Sequence, residues 1–152
     1  MLSIDEFKKK IGNNSRLLGV DPGKKNIGLA ICDEKKIVAT PLKTLKKNNF
    51  NDLLNEIKEI IEKNQIKGIV IGNPINMDGS EGKSSQSAKD LALNLSKNIT
   101  IPIVLWDERL SSEAVFKITS NLDTNVSNRI KNLDKNAAAF ILQGAIDYIV
   151  KY

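Results

Sequence analysis

Leu17-Leu18-Gly19-Val20-Asp21-Pro22-Gly23 sets a carboxylate at the end of an apolar run, just before a tight-turn dipeptide. An acid in that position is costly unless it is paired, solvated or bound to metal. Two further acids stand in comparable places. Glu108 follows Ile103-Val104-Leu105-Trp106-Asp107, and Asp134 precedes an apolar helix expected to start near Asn136. Three acids at element ends point to a metal-binding cluster.

Outward from this run, the pattern predicts strands over 16–21, 26–33 and 36–44. Pro22-Gly23 and Asp33-Glu34-Lys35 break them at hairpin-like spacing, which gives an antiparallel meander. Helical period follows over 50–64, with Phe50, Leu53, Leu54, Ile57, Ile60 and Ile61 as the apolar stripe. Gly68-Ile69-Val70-Ile71-Gly72 reads as a buried parallel strand, Ser84 to Lys97 as a helix and Ile101 to Asp107 as another strand. Helices over about 111–121 and 135–151 close the chain; Ala137, Phe140, Ile141, Gly144, Ala145, Tyr148 and Ile149 form the expected inner face of the last. Residues 3–11 read as a short amphipathic helix capped by Ser3, with Ile4, Phe7 and Ile11 on one side. The expectation is one α/β domain over 1–152, with 1–14 as an N-terminal extension and a mixed sheet covered on both faces. Asn73 to Ser85 and Asn121 to Lys131 read as mobile loops beside candidate acids.

Composition narrows the chemistry. The chain has 152 residues, 23 Lys plus Arg against 18 Asp plus Glu, a net charge of +5 and a pI near 9.3. That balance suits a polyanionic partner. There is no histidine and one cysteine, which excludes Ser-His-Asp triads, Cys-His pairs and the common zinc ligand sets. The remaining oxygen ligands favour Mg²⁺ or Mn²⁺. Cys32 lies in an apolar stretch and reads as a buried, inert thiol. No apolar run approaches the roughly 20 residues that span a bilayer, and the expected location is cytoplasmic.

Each motif also has a plain structural reading. Asp21 could cap its own turn; Ser111 caps a helix whose first turn carries Glu113; Asp134 could be only an N-cap. Asp107-Glu108-Arg109 has no such explanation, because ending a buried strand does not need three consecutive charges. A carboxylate for metal and a guanidinium for phosphate would account for them. Ala137, Ala138 and Ala139 are small enough to let the last helix lie close to a sheet, which would bring Asp134 toward Asp21 and Glu108. Such a trio repels itself strongly without cations, and two divalent ions about 4 Å apart would neutralise it. Asn73-Pro74-Ile75-Asn76-Met77-Asp78-Gly79-Ser80-Glu81-Gly82 could be an ordinary turn-rich loop, Asp78-Gly79 being a strong turn signal.

Taken in order, these motifs resemble the YqgF family, also called RuvX: bacterial RNase H-like proteins related to the RuvC Holliday junction resolvases. The resemblance runs from Arg16 onward. Its most specific parts are Gly72 to Glu81, Asp107-Glu108-Arg109-Leu110-Ser111-Ser112 and Leu133-Asp134-Lys135-Asn136-Ala137-Ala138-Ala139. It implies an RNase H-like fold with five mixed strands in the order 3-2-1-4-5, catalytic roles for Asp21, Glu108 and Asp134, and trimming of the 5′ end of pre-16S ribosomal RNA. Pro22, Asn73 and Lys135-Asn136 depart from the family's usual residues.

The resulting expectation is a phosphodiesterase in which Asp21, Glu108 and Asp134 hold two Mg²⁺ or Mn²⁺ ions. Lys24, Lys25 and Arg109 would position the backbone, and Asn76 and Ser80 would contact substrate. The expected partner is nucleic acid, pre-rRNA before branched DNA, for a monomer or weak homodimer with no membrane. The rivals are a four-way-junction resolvase, a non-catalytic nucleic-acid-binding module and an actin-like phosphotransferase. The last needs two such domains, which 152 residues scarcely supply.

Overall fold

The structure, a computed structural model, describes residues 1–74, 78–108 and 126–152, the last segment with side chains from 136 onward. Its elements are α1 (Ile4–Ile11), β1 (Arg16–Pro22), β2 (Asn26–Cys32), β3 (Ala39–Lys46), α2 (Phe50–Asn64), β4 (Ile66–Asn73), α3 (Lys83–Ser96), β5 (Ile103–Asp107) and α4 (Val126–Lys151). The strands form one sheet in the order β3-β2-β1-β4-β5. The first three pair antiparallel, while β4 and β5 run parallel to β1. This is the expected order and the expected meander.

Alternation along the strands divides the core into two layers. Leu17, Val70, Val104 and Trp106 face α1 and α4. Leu18, Val20, Ile69, Ile71 and Ile103 face α2 and α3, which bring Leu53, Leu54, Ile57, Ala88, Ala92 and Leu95. The α2 stripe is as the period predicts, with Phe50 and Ile61 only partly covered at its margins. Asn49 caps this helix by accepting the Asp52 N–H at 2.8 Å, and Gln65 ends it in the left-handed region at φ 55°.

Several boundaries and faces differ from expectation. The β3 strand starts at Ala39, not 36, because the Asp33 carboxylate accepts the N–H groups of Lys35, Ile37 and Val38 at 3.1, 2.9 and 2.8 Å, holding them in a wide turn. Gln143 then clamps the entry to β3, accepting from Ala39 N–H at 2.8 Å and donating to the Ile37 carbonyl at 3.0 Å. Segment 1–14, read as an extension, packs into the core. Phe7 is fully buried, Ile11 nearly so, and Ser3 and Glu6 complete a reciprocal capping box.

The last helix begins at Val126, so Asp134 stands inside it and is not its N-cap; residues 126–131, read as loop, are helical. No Gly or Pro interrupts 126–143, which removes the reason for a later start. Its buried face is Ala138, Ala139, Ile141, Leu142, Ala145, Ile146 and Ile149; of the expected inner positions Ile141, Ala145 and Ile149 are buried and Tyr148 packs at the margin, whereas Ala137, Phe140 and Gly144 are only partly buried. Asn73 to Ser85 is also shorter as a loop than expected, since α3 begins at Lys83. The helix expected over 111–121 lies outside the described residues. No helix among the described residues is long and apolar enough to cross a membrane.

Gly19 determines how closely α4 lies on β1. A Cβ there would stand 2.7 Å from Leu142 Cβ and 3.0 Å from the Ala138 carbonyl oxygen, a backbone atom that cannot swing aside. Gly19→Ala is therefore expected to lower stability by about 1–3 kcal/mol. Urea unfolding should show a lower midpoint at unchanged slope, whereas Leu93→Ala, at a side chain 51% exposed, should stay within about 0.5 kcal/mol.

Candidate active site

The alternation that buries Leu17 beneath α4 puts Gly19 and then Asp21 on the same face, with Asp21 at the open end of β1. By the same count, Trp106 faces α4 and Glu108, two residues on, projects from the same side of β5. Strand β4 stands between β1 and β5, so an ordinary side chain on its last inward position would separate the two acids. That position is Gly72, paired with Trp106. A Cβ at Gly72 would meet Glu108 Oε1 at 2.6 Å and Ile141 Cδ1 at 2.5 Å. The missing side chain is the space the Glu108 carboxylate occupies.

The electrostatics agree with this arrangement. The Glu108 carboxyl is pushed up to about 7, first by burial, then by the negative charges of Asp21 and Asp107. Burial and like charge both disfavour the ionised form, and a bound cation would relieve both. The donor set is hard carboxylate oxygen, so the described part of the site fits a divalent ion of the Mg²⁺ or Mn²⁺ class. Two acids are brought together by described side chains. Among the described residues no group of three or more metal-ligating side chains assembles.

Of the other expected site residues, Lys24 and Lys25 are exposed on the turn after Asp21. They line a recess of ≈ 210 Å³ together with Asp21, Gly28 and Thr44. Thr44 was not legible as a site residue. Cross-strand pairing of Asp21 with Gly28, and of Gly28 with Thr44, carries it to the recess. Ser80 is exposed, and its hydroxyl donates to Asp78 Oδ1 at 2.6 Å in a turn. Asn76, Arg109 and the side chain of Asp134 lie outside the described residues; the backbone of residue 134 stands one helical turn before Ala138 on α4.

Asn73 also has a role that the sequence did not disclose. It is buried, and its side-chain oxygen accepts the hydroxyl of fully buried Ser85 at 2.7 Å. This bond ties the end of β4 to the first turns of α3 and satisfies two polar groups that would otherwise be costly to bury. Cys32 is buried, as expected; its sulfur accepts the Leu17 N–H at 3.3 Å, and burial pushes its thiol pKa up. A thiol held protonated in this way is inert.

Comparison with known proteins gives a consistent result. A family model described as "RuvX: Holliday junction resolvase" matches residues 15–148. A protein of Pelagibacter ubique (strain HTCC1062) named "Putative pre-16S rRNA nuclease" is 55% identical over 149 residues, 98% of this chain and 99% of that protein. One of the same name from Zymomonas mobilis is 41% identical over 141 residues, 93% and 86% of the two chains. Among solved structures, T. thermophilus RuvC in complex with a Holliday junction substrate aligns with a TM-score of 0.58 at 12% identity, over 88% of this chain and 94% of that one, a likeness of fold. With an RNase H-like sheet in the order 3-2-1-4-5 and a family match spanning nearly its whole length, the chain belongs to the RuvX, or YqgF, family.

Proposed function

We propose that this protein is a divalent-cation-dependent nuclease that hydrolyses phosphodiester bonds and trims the 5′ end of pre-16S ribosomal RNA. The observation that carries the reading is the placement of Glu108 over Gly72, partly buried and close enough to Asp21 for the charge of Asp21 to disfavour ionisation of Glu108. A protein that only bound polyanions would gain nothing from such a pair. The choice of RNA rests on the names of relatives that match this chain over almost its full length.

In this reading Asp21, Glu108 and Asp134 hold two Mg²⁺ or Mn²⁺ ions. Bound, such ions neutralise the carboxylates, polarise the phosphodiester and favour an oxygen nucleophile. Lys24 and Lys25, on the rim of the Asp21 recess, fix the substrate backbone, with Arg109 as a forked phosphate ligand. Asn76 and Ser80 contact substrate from the segment after β4. The chain has no imidazole, so the proton of the attacking water goes to an oxygen, either of the carboxylate cluster or of the substrate phosphate. The protein works in the cytoplasm as a monomer or weak dimer. The second reading, cleavage of four-way DNA junctions, draws on the description of the family model. Incubating the purified protein in Mg²⁺ or Mn²⁺ with RNA carrying the pre-16S 5′ extension, and separately with a four-way DNA junction, decides between them. RNA cleavage is expected, and paired incisions in the junction alone would transfer the assignment to the resolvase.

Asp21→Asn, Glu108→Gln and Asp134→Asn are each expected to abolish cleavage in a gel assay while circular dichroism stays native; near-normal turnover by any one removes that residue from the set. A Lys24→Ala, Lys25→Ala double variant should weaken RNA binding evenly across sequences. The slope of log affinity against log salt should drop by about 0.7 for each lost contact.

Glu108 also sets a pH dependence. Its folded pKa, about 7, exceeds the ordinary 4.5. Between these values the folded state holds a proton that the unfolded state releases, so stability declines as pH rises through the interval. In EDTA, Glu108→Gln should therefore unfold at a higher temperature than wild type above pH 7. After solvent screening the gain is roughly 1–2 kcal/mol, and it should fade toward pH 4.5. Added Mg²⁺ or Mn²⁺ should reverse the order; unchanged melting of the wild type in both ions would speak against the site.

A further inference from the structure

We propose that a second cavity, on the opposite face of the sheet from Asp21, is a pocket for one unstacked nucleobase of the substrate strand; this rests on the nuclease reading above. The cavity measures ≈ 330 Å³, with Pro22, Phe50 and Leu91 among its walls and Asn48, Ser87 and Asn94 at its rim. Pro22 is the covalent neighbour of Asp21, and alternation turns consecutive residues to opposite faces. The carboxylate site and this cavity therefore meet back to back at the end of β1. Lys47 links them, since its N–H donates to the Lys25 carbonyl at 2.9 Å and so joins the loop before α2 to the lysine-bearing turn. A strand with its phosphate at Asp21, along Lys24 and Lys25, would turn its next base around Pro22 into the cavity.

The lining selects the occupant. Phe50 and Leu91 are partly buried against the core and partly open at the cavity, an aromatic and an aliphatic surface of the kind on which single-stranded bases stack. Asn48, Ser87 and Asn94 are exposed, and their side chains make no hydrogen bond among the described residues, leaving two carboxamides and a hydroxyl to pair with a base edge. Asn49, between them, is engaged in capping α2. Asp90 and Lys47 both line the cavity, so charge does not select its occupant and the apolar walls and amide groups do. The volume lies at the small end of ligand pockets, which suits one base, and a base enters such a pocket only when unpaired and unstacked. The substrate must therefore be single-stranded, or opened, next to the scissile bond.

The test is an abasic scan. Single-stranded RNA spanning the cleavage region is prepared with one abasic nucleotide moved a position at a time, and each oligonucleotide is assayed for Kd by fluorescence anisotropy and for KM and kcat in Mg²⁺. Wild type should show one sensitive position beside the scissile phosphate, where Kd and KM rise on the order of ten-fold and kcat is nearly unchanged. Phe50→Ala should show the same loss on intact RNA and no further loss at that position. Leu91→Trp, which fills the cavity, and Asn94→Ala, at an exposed side chain that leaves the fold intact, should also weaken the preference. A flat abasic profile, or losses that simply add between Phe50→Ala and the abasic site, overturns the pocket even if the enzyme cleaves. A sensitive position in binding without cleavage in any metal keeps the pocket and overturns the nuclease reading.

Discussion

The close approach of α4 to the middle of the sheet is the constraint on which the rest of this structure depends. The helix can lie on β1 and β4 only because Gly19 and Gly72 present no side chain to Leu142, the Ala138 carbonyl and Ile141. With the interior this tightly packed, an added methyl at either place forces backbone or core side chains to shift. Gly72 serves a second purpose, because the volume it leaves open also seats the Glu108 carboxylate. The packing of the core and the charge of the site thus share one position, and a change made for stability there would disturb the acids.

That sharing explains why a chain with net charge +5 keeps acids in the partly buried end of its sheet. The cluster is unfavourable by itself: Glu108 has a pKa near 7, where an ordinary glutamate would be fully ionised. The surrounding fold tolerates this since the same end of the sheet is held by strong local restraints. Asn73 and Ser85 anchor β4 to α3, and the Lys47–Lys25 backbone bond anchors the turn after Asp21 to the loop before α2. Functional sites commonly store unfavourable charge in this way and rely on a ligand to relieve it.

How much of this was legible in the sequence varies from element to element. The strand ending at Asp21 and the stripe of α2 follow from local periodicity, and the meander follows from its turn residues; all are set by neighbours within a few positions. Asp21 and Glu108 stood out as acids closing apolar runs. The family's motifs covered the chain from Arg16 onward, and they carried the strand order. By contrast, the inner face of α4 was read only in part, Ile141, Ala145 and Ile149 being buried as expected, because the helix is apolar around much of its circumference and period alone does not choose between Phe140 and Leu142. The complementary glycine on β1 makes that choice. The turn at Asp33-Glu34-Lys35 was legible, but its extension to Val38 was not, because it rests on the Asp33 carboxylate reaching the N–H groups of Ile37 and Val38 beyond the ordinary Asp33–Lys36 turn bond.

What the sequence determined by itself was therefore the identity and order of the elements among the described residues and the residue types available for chemistry: carboxylates without imidazole, lysines beside them and a basic total charge. These depend on local propensity and on composition, which the chain carries residue by residue. Only the tertiary structure decided that α1 belongs to the core, that Thr44 joins the Asp21 recess, that Gly72 is the seat of Glu108 and that a half-apolar cavity backs onto the carboxylates. Each of these depends on register and on the contact of segments distant in the chain, and a pairing between strands or a helix docking on a glycine leaves no periodic trace in either partner.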